Sequence, residues 1–170
     1  MVEVRPARPE DGPALQEIEM RTGERFREIG MPEIADDDPF PVATLTAYAD
    51  AGRSWVAVDE HDEPIGYAVV DLVDGRAHLE QISVMPDRQG RGIGRALIEQ
   101  VQSWAVAHGC AHLTLTTYRD VLWNGPLYAH LGFVELTVDQ IGPELARLQG
   151  IESAHGLDPS TRIAMALDLR

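Results

Sequence analysis

A glycine-rich link between a predicted buried strand and a predicted helix is the feature that most restricts how this chain folds. The strand ends near Met85, the link contains Gln89-Gly90-Arg91-Gly92-Ile93-Gly94, and Leu97, Ile98 and Val101 follow at helical spacing. The first turn of a helix has backbone N–H groups without partners, and glycines let an anion approach them closely. The link therefore predicts a binding site for a phosphate or a diphosphate.

Two common phosphate-binding motifs are excluded by the residues of the link. A nucleotide-hydrolysing P-loop ends in Gly-Lys-Ser/Thr, and the chain contains no lysine. A dinucleotide-binding fingerprint needs a third glycine where Leu97 stands. Three of the 14 basic residues, Arg88, Arg91 and Arg95, lie within one short window here. This clustered positive charge favours a polyanionic cofactor.

The overall charge and the cysteine content limit the partners and the compartment. A formal net charge of −14 argues against nucleic acid and anionic membranes, which are polyanions, and favours a cationic partner. The lone Cys110 cannot form an intramolecular disulfide, which predicts a reducing, cytoplasmic location. No stretch approaches the roughly 20 apolar residues of a membrane span. Histidines show no ligand spacing, so we expect no metal.

The periodicity of the apolar residues predicts a mixed α/β or α+β sheet with helices on both faces. The predicted strands are Val2–Arg5, Ser54–Val58, Ile65–Val73, Ala77–Met85, Leu113–Thr117, Phe133–Val138 and Arg162–Leu169. The predicted helices are Pro13–Arg27, Val42–Ala51, Gly94–His108, Pro126–His130 and Pro143–Glu152. Prolines and acidic residues predict a loop over Glu28–Pro41, and Asp74-Gly75 predicts a hairpin turn. We expect one domain over residues 1–170, since there are no repeats or linkers.

Three segments in this order resemble the GNAT superfamily of acyl-CoA N-acyltransferases. The link matches the family's pyrophosphate loop, Gln/Arg-x-x-Gly-x-Gly/Ala, and Leu79–Pro86 resembles the strand before it. Asn124–Phe133 resembles a later segment that ends in Tyr-x-x-x-Gly-Phe. The resemblance runs from Val2 to about Val138 and implies a GNAT-like fold, a mostly antiparallel sheet of about seven strands.

The resemblance implies an enzyme that transfers an acetyl group from acetyl-CoA to a primary amine by direct attack in a ternary complex. It places the diphosphate against the start of the helix and pairs the pantetheine arm with the preceding strand. Asn124 is a candidate for the pantetheine amide, although Asn before Gly-Pro is equally typical of a plain helix N-cap. The implied cofactor-binding residues are Ile82, Ser83, Val84, Gln89, Gly90, Arg91, Gly92, Ile93, Gly94, Arg95, Ala96 and Asn124.

Three side chains are candidates for the proton transfers of such a reaction. Glu80 lies at the end of an apolar row on its strand, where partial desolvation raises a carboxyl pKa, and it is the leading general base. His78 has the same strand parity and competes for that role. Tyr128 is the candidate general acid for the leaving thiolate. Each also has a purely structural interpretation, as a polar strand end or as a core aromatic.

The acceptor is a small-molecule or peptide amine that the sequence does not identify. Asp36, Asp37 and Asp38 lie where family members cover the acceptor, so they could attract a cationic amine, although acidic runs are usually solvated loops. A homodimer is left open. The alternative functions are a non-catalytic acyl-CoA-binding sensor or interaction module, and a structural protein that keeps the fold without the ligand.

Overall fold

The computed structural model describes residues 2–170, which form a seven-stranded sheet in the order β1-β2-β3-β4-β5-β7-β6. β4 and β5 run parallel, whereas the pairs β1/β2, β2/β3, β5/β7 and β6/β7 are antiparallel. The predicted mixed, mostly antiparallel sheet is therefore confirmed. The strands are β1 (Glu3–Pro6), β2 (Ser54–Val58), β3 (Pro64–Val73), β4 (Arg76–Val84), β5 (His112–Tyr118), β6 (Val134–Glu135) and β7 (Arg162–Asp168).

Seven α-helices lie within the same residues. They are α1 (Gly12–Gly23), α2 (Arg25–Glu28), α3 (Pro32–Ala35), α4 (Val42–Asp50), α5 (Ile93–Ala107), α6 (Gly125–His130) and α7 (Pro143–Ala154). The predicted hairpin turn is confirmed, because Asp74 and Gly75 have φ values of 53° and 70°. Gly109 ends α5 with a φ of 74°, as its position predicts.

Three predicted elements have different bounds. The helix predicted over Pro13–Arg27 is interrupted after Gly23, where the Thr22 hydroxyl donates to the carbonyl of Ile18 at 2.8 Å. Such a bond to the preceding turn bends helices, and glycine adds little helical preference. The loop predicted over Glu28–Pro41 contains the one-turn helix α3, which Pro32 starts because its fixed φ suits a first helical position.

The strand predicted over Phe133–Val138 is only two residues long. Beyond Glu135 the chain turns into a short 3-10 helix, because the backbone N–H of Thr137 donates to the Gln140 side chain at 2.9 Å. This reciprocal capping stops the extended conformation. The resulting β6 is a short edge strand beside β7.

Contacts between residues group the chain into two compact units. The first contains the residues up to Val70 and Gln81–Val101, and the second contains Asp71–Glu80 and Gln102–Arg170. The expectation of a single domain stays a prediction.

The core of the first unit lies between two helices and one face of the sheet. Leu15 and Ile18 from α1 and Leu45 from α4 pack in one cluster with alternate residues of β2 and β3. On β3, Gly66 points the other way, and a Cβ there would lie 3.2 Å from Ile93 of α5. Helices therefore cover both faces of the sheet in this unit, as predicted. The strand residues of the cluster are Val56, Val58, Tyr67 and Val69.

The second unit has a smaller core that attaches α7 to the sheet. Leu145 of α7 packs in one cluster with Val73 of β3 and Ala164 of β7, and all three are buried. Cys110 is also buried, as a small core residue. Among residues 2–170, no helix combines the length and apolar character that a membrane crossing requires.

Candidate active site

The predicted anion site is an open turn between the end of β4 and the first residues of α5. Gly90 and Gly92 have φ values of 76° and 80°, a left-handed conformation that residues with a Cβ rarely adopt. The N–H groups of Ile93, Gly94 and Arg95, at the start of α5, have no acceptor within the helix, and the first N–H that does is that of Ala96, which donates to the carbonyl of Gly92 at 3.0 Å. The backbone therefore offers several donors beside this turn.

Room for a ligand is present beside the glycines of the turn. A Cβ built on Gly90 or Gly92 would meet no atom within 4 Å, and one on Gly94 would meet only Val84, at 4.0 Å. Arg91 and Arg95 are exposed at the same turn, and neither makes an ion pair within residues 2–170. Arg88 is partly neutralised by Asp87, 3.7 Å away. This combination of open glycines and free guanidinium groups fits a diphosphate.

The end of β4 is held in place by side chains from the same unit. The carbonyl of Val84 accepts from the Gln89 side-chain amide at 3.1 Å and lies 3.2 Å from the Thr22 hydroxyl, which shares its single hydrogen between this carbonyl and that of Ile18. The oxygen of the Gln89 amide in turn accepts from Arg25. Gln89 therefore supports the turn through its side chain, and only its backbone remains for a cofactor. Ser83 is buried and accepts from Gln81, while Ile82 is half-buried.

The structure brings His78 and Glu80 together on β4. The imidazole is 3% exposed and the carboxyl 29%, with 3.6 Å between His78 Nε2 and Glu80 Oε2. Burial lowers the pKa of His78 to about 4, so the ring is neutral at physiological pH. Burial, together with the nearby charges of Asp71 and Glu152, raises the pKa of Glu80 to about 7. The contact is thus one between a neutral imidazole and a carboxyl group that titrates near neutrality.

Residues from β5, β7 and α7 surround this pair. The Thr114 hydroxyl lies 2.8 Å from His78 Nδ1. Glu152 of α7 accepts from the Thr116 hydroxyl at 2.9 Å and from Arg162 at 3.1 Å. The sequence analysis missed all four residues, because strand register and the packing of α7 bring them here and no local motif marks them.

Tyr128 and Asn124 lie on and beside α6. The Tyr128 ring packs edge-on against Phe133 with 5.7 Å between the ring centroids, and burial raises its pKa to about 12. Asn124 makes no side-chain cap to α6; its Oδ1 accepts from the Thr117 hydroxyl at 2.7 Å and from the Tyr118 N–H at 3.4 Å. Asn124 thus occupies the N-cap position of α6, where its carbonyl accepts from the Tyr128 N–H at 3.0 Å, but its side chain bonds to β5 and does not cap the helix. These bonds use only the oxygen of the Asn124 amide and not its two N–H donors.

Acidic groups near Glu80 do not form a metal site. Within the described part of the chain, no group of three or more His, Cys, Asp or Glu side chains is arranged to hold a metal ion.

The chain belongs to the acetyltransferase (GNAT) family, since residues 13–133 match the model of that family. It is 41% identical over 51 residues to the peptidyl-lysine N-acetyltransferase YjaB of Escherichia coli. The aligned stretch covers 30% of this chain and 32% of that protein. It is 35% identical over 86 residues to an aminoglycoside N(6')-acetyltransferase type 1 of Stenotrophomonas maltophilia. This alignment covers 45% of this chain and 56% of that protein. The chain thus spans between a third and somewhat over half of the length of these relatives.

Solved structures agree with the fold. An N-acetylglutamate synthase from Neisseria gonorrhoeae, complexed with coenzyme A and N-acetyl-glutamate, superposes with a TM-score of 0.75 at 17% identity. That match covers 100% of this chain and 35% of the other.

Proposed function

We propose that this chain transfers an acetyl group from acetyl-CoA to a primary amine, by direct attack in a ternary complex. The observation that carries the proposal is the turn at Gly90–Gly94, where open glycines, free helix N–H groups and unpaired arginines coincide in a member of the GNAT family. Bound acetyl-CoA supplies the acyl group as a thioester. The residues of the chain hold the cosubstrate, accept a proton from the amine and return one to the thiolate.

The turn and the end of β4 would hold the cosubstrate. The backbone N–H groups from Arg91 to Arg95 donate to the diphosphate, with the Arg91 and Arg95 side chains as counter-ions. Ala96 only lies beside it, because its own N–H donates to the carbonyl of Gly92 at 3.0 Å. The main chain of Ile82–Val84 pairs with the pantetheine arm. The N–H of Val84 stabilises the developing oxyanion, and the two contacts that fix the Val84 carbonyl keep this donor in place.

Glu80 is the better of the two candidates for the general base. A base is most effective when its pKa lies near the working pH, and the pKa of Glu80 is about 7. The pKa of His78 is about 4 and its ring is 3% exposed, so it is both a weak base and poorly accessible to an amine. Glu80 accepts the ammonium proton through a water molecule.

Tyr128 is the general acid in this proposal. With a pKa of about 12 its phenol keeps its proton throughout the working range. A thiol has a pKa of about 8.5, so donation from Tyr128 to the departing sulfur is uphill, and it proceeds as the sulfur becomes charged and is completed when solvent reprotonates the phenolate.

The acceptor is proposed to be a cationic amine. Both relatives named above act on amines, and the protein has a net charge of −14. In the proposed acceptor cover, residues 28–48, Asp36 is paired with Arg27 at 2.6 Å. Asp37 and Asp38 are exposed, and their charge would attract a cation. A cytoplasmic location and a homodimer stay predictions.

The test is coenzyme A release with a panel of primary amines, together with calorimetry of coenzyme A binding. Gly92→Ala should weaken binding about tenfold or more, because a Cβ would enter the open turn and disfavour its conformation. Gly52→Ala is the matched control, since Gly52 also has a positive φ of 70° with nothing within 4 Å of its Cβ position. No heat with coenzyme A would overturn the proposal, and binding without turnover of any amine would indicate a sensor module.

A further inference from the structure

His78 is buried between a hydroxyl group on one side and the proposed general base on the other. Its Nδ1 lies 2.8 Å from Thr114 Oγ1, and its Nε2 lies 3.6 Å from Glu80 Oε2. β4 and β5 pair in parallel with His78 opposite Thr114, so the sheet itself fixes this contact. Both residues are almost fully buried, with exposures of 3% and 1%.

The Thr114 hydroxyl decides which nitrogen of His78 carries the proton. Besides His78 Nδ1, Thr114 Oγ1 has one other partner, the carbonyl of Ala77 at 3.3 Å. A carbonyl can only accept, and the hydroxyl has a single hydrogen to donate. Both contacts are hydrogen bonds only if the hydroxyl donates to Ala77 and accepts from His78 Nδ1–H. The neutral ring then has a bare Nε2 toward Glu80.

We propose that His78 and Thr114 are positioning residues for Glu80, with Thr114 fixing His78 as the Nδ1-protonated tautomer so that the bare Nε2 faces the Glu80 carboxyl. This inference rests on the proposed function. A lone pair beside a carboxylate is unfavourable, whereas a protonated carboxyl can turn its O–H toward Nε2. The arrangement therefore favours the form of Glu80 that exists just after it has accepted the ammonium proton.

Other charged groups act on Glu80 as well. Asp71 on β3 and Glu152 on α7 add negative charge, and Arg162 on β7 pairs with Glu152 at 3.1 Å. These groups stay in place when only the Thr114 hydroxyl is changed. A Thr114 variant therefore isolates the contribution of the tautomer.

The first test is the pH dependence of kcat/KM in Thr114→Val. Without the hydroxyl, Nδ1–H has no acceptor, so the imidazole moves its proton to Nε2 and donates to ionised Glu80. That bond stabilises the carboxylate, so the acidic limb of the profile should move to lower pH, by about one pH unit. Thr114→Ser keeps the hydroxyl and should restore the wild-type limb. Thr137→Val makes the same chemical change at an exposed position and is the control, so its pH profile should match that of the wild type.

The second test does not depend on turnover. Nitrogen NMR of His78 should show a protonated Nδ1 and a bare Nε2 in the wild type, and the reverse in Thr114→Val. Carbon NMR of Glu80 should show its titration at lower pH in that variant. A protonated Nε2 in the wild type, or an acidic limb that stays or moves to higher pH in Thr114→Val, would overturn the inference. Absence of turnover with every amine would instead count against the proposed function, with the NMR result unaffected.

Discussion

At the scale of the residue, Glu80 shows a conflict between stability and activity. Its pKa is about 7 in the folded protein, against an ordinary value of 4.5, so the native state binds protons more tightly than the unfolded chain. Stability therefore falls as the pH rises between these two values, and the whole penalty is present above pH 7. The buried carboxylate is unfavourable for folding at the pH at which the proposed general base would have to be ionised.

Glu80→Gln should stabilise the fold at pH 8 and remove most of the activity. We expect a gain of about 1 kcal/mol in the free energy of unfolding, after allowing for the partial exposure of the carboxyl. The gain should disappear near pH 4, where Glu80 is protonated in both states. Urea unfolding at the two pH values measures it, with the exposed Glu10→Gln as the control. An equal effect at both pH values would contradict the assigned pKa.

Tyr128→Phe should lower kcat about 100-fold, the typical contribution of a general acid, with the Kd for acetyl-CoA unchanged. The ring that packs on Phe133 remains, so the thermal midpoint should stay close to the wild type. Steady-state kinetics, calorimetry and a thermal scan separate these effects. If kcat is unchanged, Tyr128 is a core aromatic only.

The sequence predicted the candidate residues that a local pattern marks, and it missed those that depend on register. Strand parity marked Glu80 and His78 as candidate bases, and the family resemblance around Tyr128 marked it as the candidate acid. Thr114 could not be found, because its place beside His78 depends on the parallel alignment of β4 and β5. Parallel strands are far apart in sequence, so no short-range signal fixes their register.

At the scale of the element, the anchoring of α7 shows how a correctly predicted helix acquires its position. Asp74 in the hairpin turn accepts from the N–H groups of Glu144 and Leu145 at 2.9 and 3.0 Å, and so caps the start of α7. The Glu144 carboxylate accepts from the N–H of Asp74 in return. The sequence predicted both the turn and the helix, but their contact joins residues about 70 positions apart.

Gly142→Ala should destabilise the protein by about 1–2 kcal/mol, because a Cβ there would overlap the Asp74 carboxylate and break this cap. Gly150→Ala, within α7, is the matched control, and its effect on stability should have the opposite sign. A Cβ at Gly150 meets nothing within 4 Å, so alanine should stabilise α7 by about 0.5–1 kcal/mol. Urea unfolding of the two variants measures both effects. Equal changes in the two would mean that the capping contact does not hold α7.

At the scale of the whole molecule, the charge of the protein would act differently on acetyl-CoA and on the proposed cationic acceptor. Acetyl-CoA is a polyanion, and a protein of net charge −14 repels it at a distance. The arginines of the turn reverse the field locally, which explains why three of 14 cations lie in a single short segment. A cationic amine is instead attracted by the net negative charge of the protein and needs no local cluster of opposite charge.

Added salt should therefore lower kcat/KM for a cationic amine when acetyl-CoA is saturating. Salt at about 1 M shortens the screening length to about 3 Å, against about 30 Å at 0.01 M, so long-range attraction is lost. We expect a fall of about tenfold over this range for a diamine, since steering of this kind contributes about 10- to 1000-fold to association. An amine that is uncharged at the assay pH is the control and should change little. If both amines respond alike, the excess acidic charge does not recruit the acceptor, and Asp37→Asn and Asp38→Asn should then leave the KM for the diamine unchanged.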